Sequence, residues 1–273
     1  MATTRNSADR PLSARSVVAS TLLGMRPPRL STQMIVRSGA IFGIAEGTTR
    51  VAVSRMVAAG ELVADGDGYR LAGPMLTRQA RQDVSRSGPT ARWDGTWTMQ
   101  VVLAEPRDAP DRARLRAAAT ALRLAPLREG VWARPANLPS GVLPDDEAIV
   151  AAQCRAFSGQ PEGDPVALAA ELWDLEQWTA RAVDLRARLK VVGDRLTTGD
   201  LDALPDGFVL SAATLRHFQA DPLLPAELLP RAWPGDALRA DYERYDEAFR
   251  AVWSDWYRAQ RGRMAGGAPV VRP

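Results

Sequence analysis

Gly43-Ile-Ala-Glu-Gly-Thr-Thr-Arg-Val-Ala-Val-Ser-Arg-Met-Val-Ala-Ala-Gly-Glu-Leu-Val-Ala-Asp-Gly-Asp-Gly-Tyr69 decides how the whole chain is read. Between Glu46 and Ala59 the spacing predicts a helix with two faces. Thr49, Ala52, Val53 and Met56 recur at i, i+3, i+4 and i+7, the pattern of one inward stripe. Thr48, Arg50, Ser54 and Arg55 turn outward, small polar and guanidinium groups that suit phosphates and base edges. Glu46 stands in the first turn, where the helix dipole favours an acid. Gly60 follows at the expected stop. Glu-Leu-Val-Ala then meets Asp65-Gly66-Asp67-Gly68, and Tyr-Arg-Leu leads back, two β-type runs around a glycine-rich turn. Helix, glycine, hairpin is the order of a winged helix-turn-helix. The DNA contacts expected from it are Thr48, Thr49, Arg50, Ser54 and Arg55 on the helix, with Tyr69 and Arg70 on the wing.

Upstream, Ser13 is placed to cap a helix running to about Gly24, with Val17, Val18, Thr21 and Leu22 inward. Arg26-Pro-Pro-Arg-Leu reads as a break. Ser31 caps a second helix carrying Met34, Ile35, Ser38 and Ile41 on one side, and Gly43-Ile44 makes the tight turn into the third. Downstream, Pro74 to about Arg86 is helical, and Ser87-Gly-Pro-Thr90 is a linker.

Charge supports the same placement. Residues 1–90 hold 12 arginines against 6 acids, whereas the rest of the chain holds 23 bases and 26 acids. A basic module on a near-neutral body is the electrostatic footprint of phosphate contact. The 273 residues are long for one domain. No run approaches the roughly 20 apolar residues of a membrane span, and the N-terminus lacks a signal-peptide core. A lone Cys154 excludes an internal disulfide framework. These features predict a cytoplasmic protein without membrane partners, cofactor or metal.

Beyond Trp93 the character changes. Trp97-Thr-Met-Gln-Val-Val-Leu-Ala reads as a buried strand and Asp108–Leu124 as a helix. Gly130-Val-Trp-Ala-Arg-Pro is a second strand, ended by Pro135, and Glu147–Phe157 a third. Strand, helix, strand, strand suits a split β-α-β, ferredoxin-like unit. From Asp164-Pro165 a long amphipathic stretch runs to about Val192, with Leu168, Leu172, Leu175, Leu185 and Leu189 near one face. Phe208–Phe218 is helical. Residues 221–235 are punctuated by four prolines, which forbid one continuous helix. Ala237–Arg258 closes the chain with Tyr242, Tyr245, Phe249, Trp253 and Trp256. The expected fold class is α+β, with these parts: a leader over 1–12, a winged helix over 13–88, a ferredoxin-like domain over 93–160, a mostly helical domain over 164–260 and a loose tail over 261–273.

Four segments together resemble the PaaX family of bacterial transcriptional repressors of phenylacetate catabolism. They are Gly43–Met56, Trp93-Asp-Gly-Thr-Trp, Gly130-Val-Trp-Ala-Arg-Pro and the proline-rich Asp221–Gly235. The resemblance implies a homodimer on a palindromic DNA operator, a middle domain similar to small CRISPR-associated endonucleases, and release of DNA by an aryl- or acyl-CoA thioester such as phenylacetyl-CoA. The two acids at the wing tip, Asp65 and Asp67, depart from the pattern and shift the expected wing contact to Tyr69 and Arg70. For the thioester, residue type alone suggests Arg181 and Arg216 against phosphates and Trp178 against the acyl group.

Rival readings rest on single residues. Glu105 ends the first middle-domain strand, where related nucleases hold a metal, but no second acid is placed to pair with it. His217 has no Ser or Cys at triad spacing, and Cys154 reads as a small buried hydrophobe. No enzymatic activity is therefore expected. A metal-dependent nuclease, or a winged-helix regulator without an effector, are the alternatives.

Overall fold

The computed structural model describes residues 12–88, 90–103 and 108–265. Most of the expected leader, Pro89 of the linker, Glu105 and residues 266–273 of the tail lie outside the described residues. The chain forms two compact units, one drawn from 1–79, 200–205 and 251–273, the other from 80–199 and 206–250. The architecture is α+β. Among the described residues no helix is long and apolar enough to cross a membrane.

In the first unit, α1 (Ala14–Leu23) begins where the Ser13 side chain accepts from the Ser16 N–H. Val17, Val18, Thr21 and Leu22 are its buried face, as their spacing predicts. Ser31 likewise caps α2 (Thr32–Ile41), and α3 (Glu46–Ala58) follows. The segment read as a break contains a strand, β1 (Arg29–Ser31), which exists only through its pairing. With β2 (Leu62–Asp65) and β3 (Gly68–Leu71) it makes an antiparallel sheet of order β1-β3-β2. Val18, Leu22, Leu30, Ile35, Val53, Met56, Leu62 and Leu71 close one core between helices and sheet. α4 (Pro74–Ser87) starts at its proline, where the missing N–H is harmless.

The second unit carries a four-stranded antiparallel sheet. Its elements are β4 (Trp97–Val102), α5 (Ala109–Ala121), β5 (Ala125–Arg128), β6 (Val131–Pro135), α6 (Pro144–Gln153) and β7 (Cys154–Gly159). The strand order β5-β6-β4-β7 with antiparallel neighbours is the ferredoxin-like arrangement. Three details correct the sequence reading. α5 stops at Ala121, because Arg123 takes a left-handed backbone at φ 62° and turns the chain into β5. β5 itself was unforeseen. Glu147–Phe157 is not one strand: Pro144 at the helix start, with Asp145, Asp146 and Glu147 in the first turn, makes residues 144–153 helical.

Two helices replace the single long stretch expected after Asp164, α7 (Pro165–Leu172) and α8 (Leu175–Thr197). Trp173 is extended between them, and the Asp174 side chain caps α8 by accepting from the Gln177 N–H at 2.9 Å. α9 (Leu204–Gln219) and α10 (Gly235–Ala265) complete the chain, and the proline-rich crossing between them holds one short helical turn, Ala226–Leu228.

Candidate nucleic-acid interface

α3 is held by α2 through an unusually close approach. A Cβ on Gly39 would lie 2.4 Å from the Thr49 Oγ1, inside any real contact distance, so glycine is required there. Thr49 is fully buried, and its hydroxyl faces the Ala45 carbonyl at 3.4 Å. That burial removes Thr49 from the DNA-contact set: it belongs to the stripe it shares with Ala52, Val53 and Met56, all buried. The turn into α3 is tied by the Ile44 N–H donating to the Gly39 carbonyl at 3.0 Å.

The opposite face is open. Thr48, Arg50, Ser54 and Arg55 are all exposed. The Arg50 Nε donates to Glu46 one turn back at 2.7 Å, which directs its guanidinium along the helix toward the N-terminus. The Arg55 side chain has no hydrogen bond or ion pair among the described residues. The four side chains contribute nothing to the core, and Val51 is exposed among them on the same outward face.

The wing carries a contact that sequence reading missed. Arg29, on β1, reaches both acids of the hairpin tip, Asp65 at 3.3 Å and Asp67 at 3.5 Å, and its Nη2 also donates to the Asp65 carbonyl at 3.4 Å. Thr32 adds its N–H and Oγ1 to the Asp67 carbonyl at 3.1 and 2.9 Å. The acids therefore organise the tip and are partly neutralised there. Gly68 lets β1 come close: a Cβ would stand 1.9 Å from the Leu30 carbonyl oxygen. Tyr69 is half-buried and packs on the core, whereas Arg70 is exposed. An arginine beside two prolines gave no signal of this role, which appears only once β1 pairs with β3.

Of the residues suggested for a thioester, Trp178 faces the interior, whereas Arg181 and Arg216 are exposed. Trp178 is buried, stacked on His217 at 4.3 Å and on Trp233 at 4.2 Å, and its Nε1 donates to the His217 carbonyl at 3.3 Å. Its ring faces serve the interior, which corrects its assignment to an acyl group. Arg181 is exposed and paired with Asp184 at 2.8 Å, and Arg216 is exposed on α9. Burial lowers the His217 pKa to about 4, with Asp221 opposing, so the ring is neutral at ordinary pH. A groove of about 560 Å³ lies instead between α8 and α10, lined by Arg186, Lys190, Arg244, Asp194, Asp241 and Tyr245. Among the described residues no group of three or more His, Cys, Asp or Glu converges to hold a metal, and Glu105 lies outside them.

Two of the resembling segments meet. Arg134, from Gly130–Pro135, is buried and donates to the carbonyls of Leu122 at 2.7 Å, Pro135 at 2.9 Å and Leu223 at 3.4 Å, and to the Asn137 side chain at 2.8 Å. Leu223 lies in Asp221–Gly235 and is held at φ 52°. Asp221 accepts from the Leu223 N–H at 2.9 Å and from Arg239 at 2.8 Å. Burial lowers the Arg134 pKa to about 9, and nearby Arg123 adds to the shift.

Residues 13–75 match the PaaX-like protein family, and residues 173–260 match the PaaX-like protein C-terminal domain. A solved structure, that of an uncharacterised protein, Rv0674, from Mycobacterium tuberculosis, is similar over 88% of this chain and 97% of that one. The two are 43% identical, with a TM-score of 0.64. No curated protein matches the chain.

Proposed function

The chain belongs to the PaaX-like protein family, and from that membership we propose that it is a DNA-binding transcriptional repressor of catabolic genes. It acts as a homodimer on a palindromic operator and is released by an aryl- or acyl-CoA thioester such as phenylacetyl-CoA. The observation that carries the DNA reading is the outward face of α3. Thr48, Arg50, Ser54 and Arg55 stand exposed on a helix whose other face is locked into the core. A helix so mounted enters the major groove with its N-terminal half, and Arg70 and Arg29 flank it on the wing.

Effector release requires the thioester to favour one of two states, typically by about 1–3 kcal/mol. The groove between α8 and α10 carries Arg186, Lys190 and Arg244, each ion-paired to Asp241 or Asp194, so a ligand bearing phosphates would take these cations over from the two acids. Exposed Arg181 and Arg216 are secondary candidates.

A salt-titrated gel shift on the DNA upstream of the gene, with and without phenylacetyl-CoA, tests the proposal. A specific complex that the thioester dissolves is expected. No specific complex at any salt overturns the DNA reading, and a complex indifferent to the thioester overturns the effector alone.

A further inference from the structure

The two edges of the four-stranded sheet are built differently. Sheet edges are ordinarily blunted by prolines, bulges or very short strands. β5 follows that rule: it has four residues, contains Pro126, and its register on β6 shifts between Pro126 and Arg128. β7 does not. All six of its residues pair in unbroken register with β4, from Trp97↔Gly159 to Val102↔Cys154, and it contains no proline. Arg155 to Gly159 are exposed, including Phe157 at 48%.

The hydrogen-bond phase of this edge is fixed. The Leu103 N–H donates to the Gln153 carbonyl at 3.1 Å, and the Val102 N–H to the Gly130 carbonyl at 2.9 Å. In an antiparallel ladder such bonds alternate. Odd positions of β4 thus bond β7 and even positions bond β6. Arg155, Phe157 and Gly159 accordingly turn their backbone groups to β4. Ala156 and Ser158 present theirs to the open side, as does the Cys154 carbonyl, whereas the Cys154 N–H closes α6 by donating to the Val150 carbonyl.

We propose that β7 pairs antiparallel with β7 of a second copy of this chain, about a two-fold axis at Ala156, to make one eight-stranded sheet. The register is self-complementary, as a two-fold interface must be. Ala156 meets Ala156, the Cys154 carbonyl meets the Ser158 N–H of the second copy and the reverse, and about four N–H···O bonds form. The intervening pairs set Arg155 opposite Phe157 twice, with Cβ atoms roughly 4.5–5.5 Å apart. Each exposed ring then receives a guanidinium, a cation–π match. The Arg155 side chain has no partner among the described residues of its own chain. The one charge on the edge is therefore a complement to its own copy and not a barrier. This rests on the two-copy reading above and names its interface.

Light scattering on the full chain, with two variants, tests it. Wild type is expected at twice 29.6 kDa. Ala156→Pro removes an N–H that β4 does not use and is expected at single mass with unchanged circular dichroism. Cys154→Ser/Ala156→Cys is expected to form an intermolecular disulfide on mild oxidation, because paired Cα atoms about 5.5 Å apart suit that bond. Cys154→Ser/Ala113→Cys, on the exposed face of α5, is expected not to. If Ala156→Pro fails to fold, the cross-link decides. A monomeric wild type, or a dimer without the Ala156→Cys cross-link, overturns the edge pairing. A gel shift that survives in either case leaves the DNA reading intact, and a cross-linked dimer that shifts no DNA does the reverse.

Discussion

Gly39 and Thr49 are the contact on which α3 is mounted: the glycine on α2 leaves room for the threonine hydroxyl, and no side chain fits between them. Gly39→Ala adds a methyl 2.4 Å from the Thr49 Oγ1. Alanine raises helix propensity, but overpacking costs about 1–3 kcal/mol and wins. Urea unfolding is expected to show a net loss. Thr49→Ala in the same chain removes the clashing oxygen, so the double variant is expected to recover most of it. Strict additivity of the two changes would refute the contact.

Arg55, on the outward face of α3, makes no side-chain hydrogen bond or ion pair among the described residues, so its replacement isolates binding from folding. Arg55→Ala is expected to leave the melting temperature unchanged. If the guanidinium meets a base, the variant loses about 1–3 kcal/mol of operator affinity. If it meets a phosphate, the loss is uniform across sequences and the salt slope falls by about one. Unchanged affinity and slope in the gel shift would take Arg55 out of the interface.

Asp65 and Asp67 restrain Arg29 at the wing tip. The pairs are half-exposed, so Asp65→Asn/Asp67→Asn is expected to cost less than about 1 kcal/mol of stability. It also removes two negative charges and frees a guanidinium beside the proposed DNA surface. Non-specific DNA affinity is expected to rise and to fall more steeply with salt. Unchanged non-specific affinity and salt slope would place the tip away from DNA.

What was legible in the sequence was local. Ser13 and Ser31 cap their helices, and the Thr49–Met56 stripe faces inward, because caps and helical spacing act within one or two turns. What was not legible depends on partners far along the chain. β1 looks like a break until β3 pairs with it, and β5 hides behind Pro126. The break at Trp173-Asp174 interrupts an apolar spacing that continues on both sides. Thr49 shows a second limit: it is polar enough to suggest a contact, but its position on the stripe outranks its chemistry. The thioester residues were chosen by type, and type said nothing of Trp178 being stacked on two other rings.

His217 supplies a pH dependence whose sign follows from its burial. Its pKa is about 4 in the folded chain against an ordinary 6.5. Between those values the unfolded chain takes up a proton that the folded chain refuses. Stability therefore falls as pH drops from about 6.5 toward 4, and this contribution is complete above that window. His217→Gln is expected to flatten the urea midpoint against pH over that range. An equally steep profile in the variant would assign the dependence to carboxylates.

Arg134 joins β6 to the crossing before α10, and it does so as a buried cation whose partners are carbonyl and amide oxygens. An arginine on a strand reads as a surface residue, but Arg134 is only 3% exposed, because its acceptors come from residues 122, 135, 137 and 223. Removing the charge relieves a desolvation penalty, yet leaves several buried oxygens without donors. Unsatisfied buried acceptors cost about 1–3 kcal/mol each, so the loss outweighs the relief. Arg134→Met is expected to lose about 3 kcal/mol in urea unfolding. Arg134→Lys keeps the charge but cannot fork to the separated acceptors, and it is expected to recover less than half of that. The Asn137 Nδ2, which also donates to the Leu223 carbonyl at 2.9 Å, gives a further check. Asn137→Ala is expected to be non-additive with Arg134→Met, since the two share Leu223. Additive losses would mean that the two side chains hold the crossing independently.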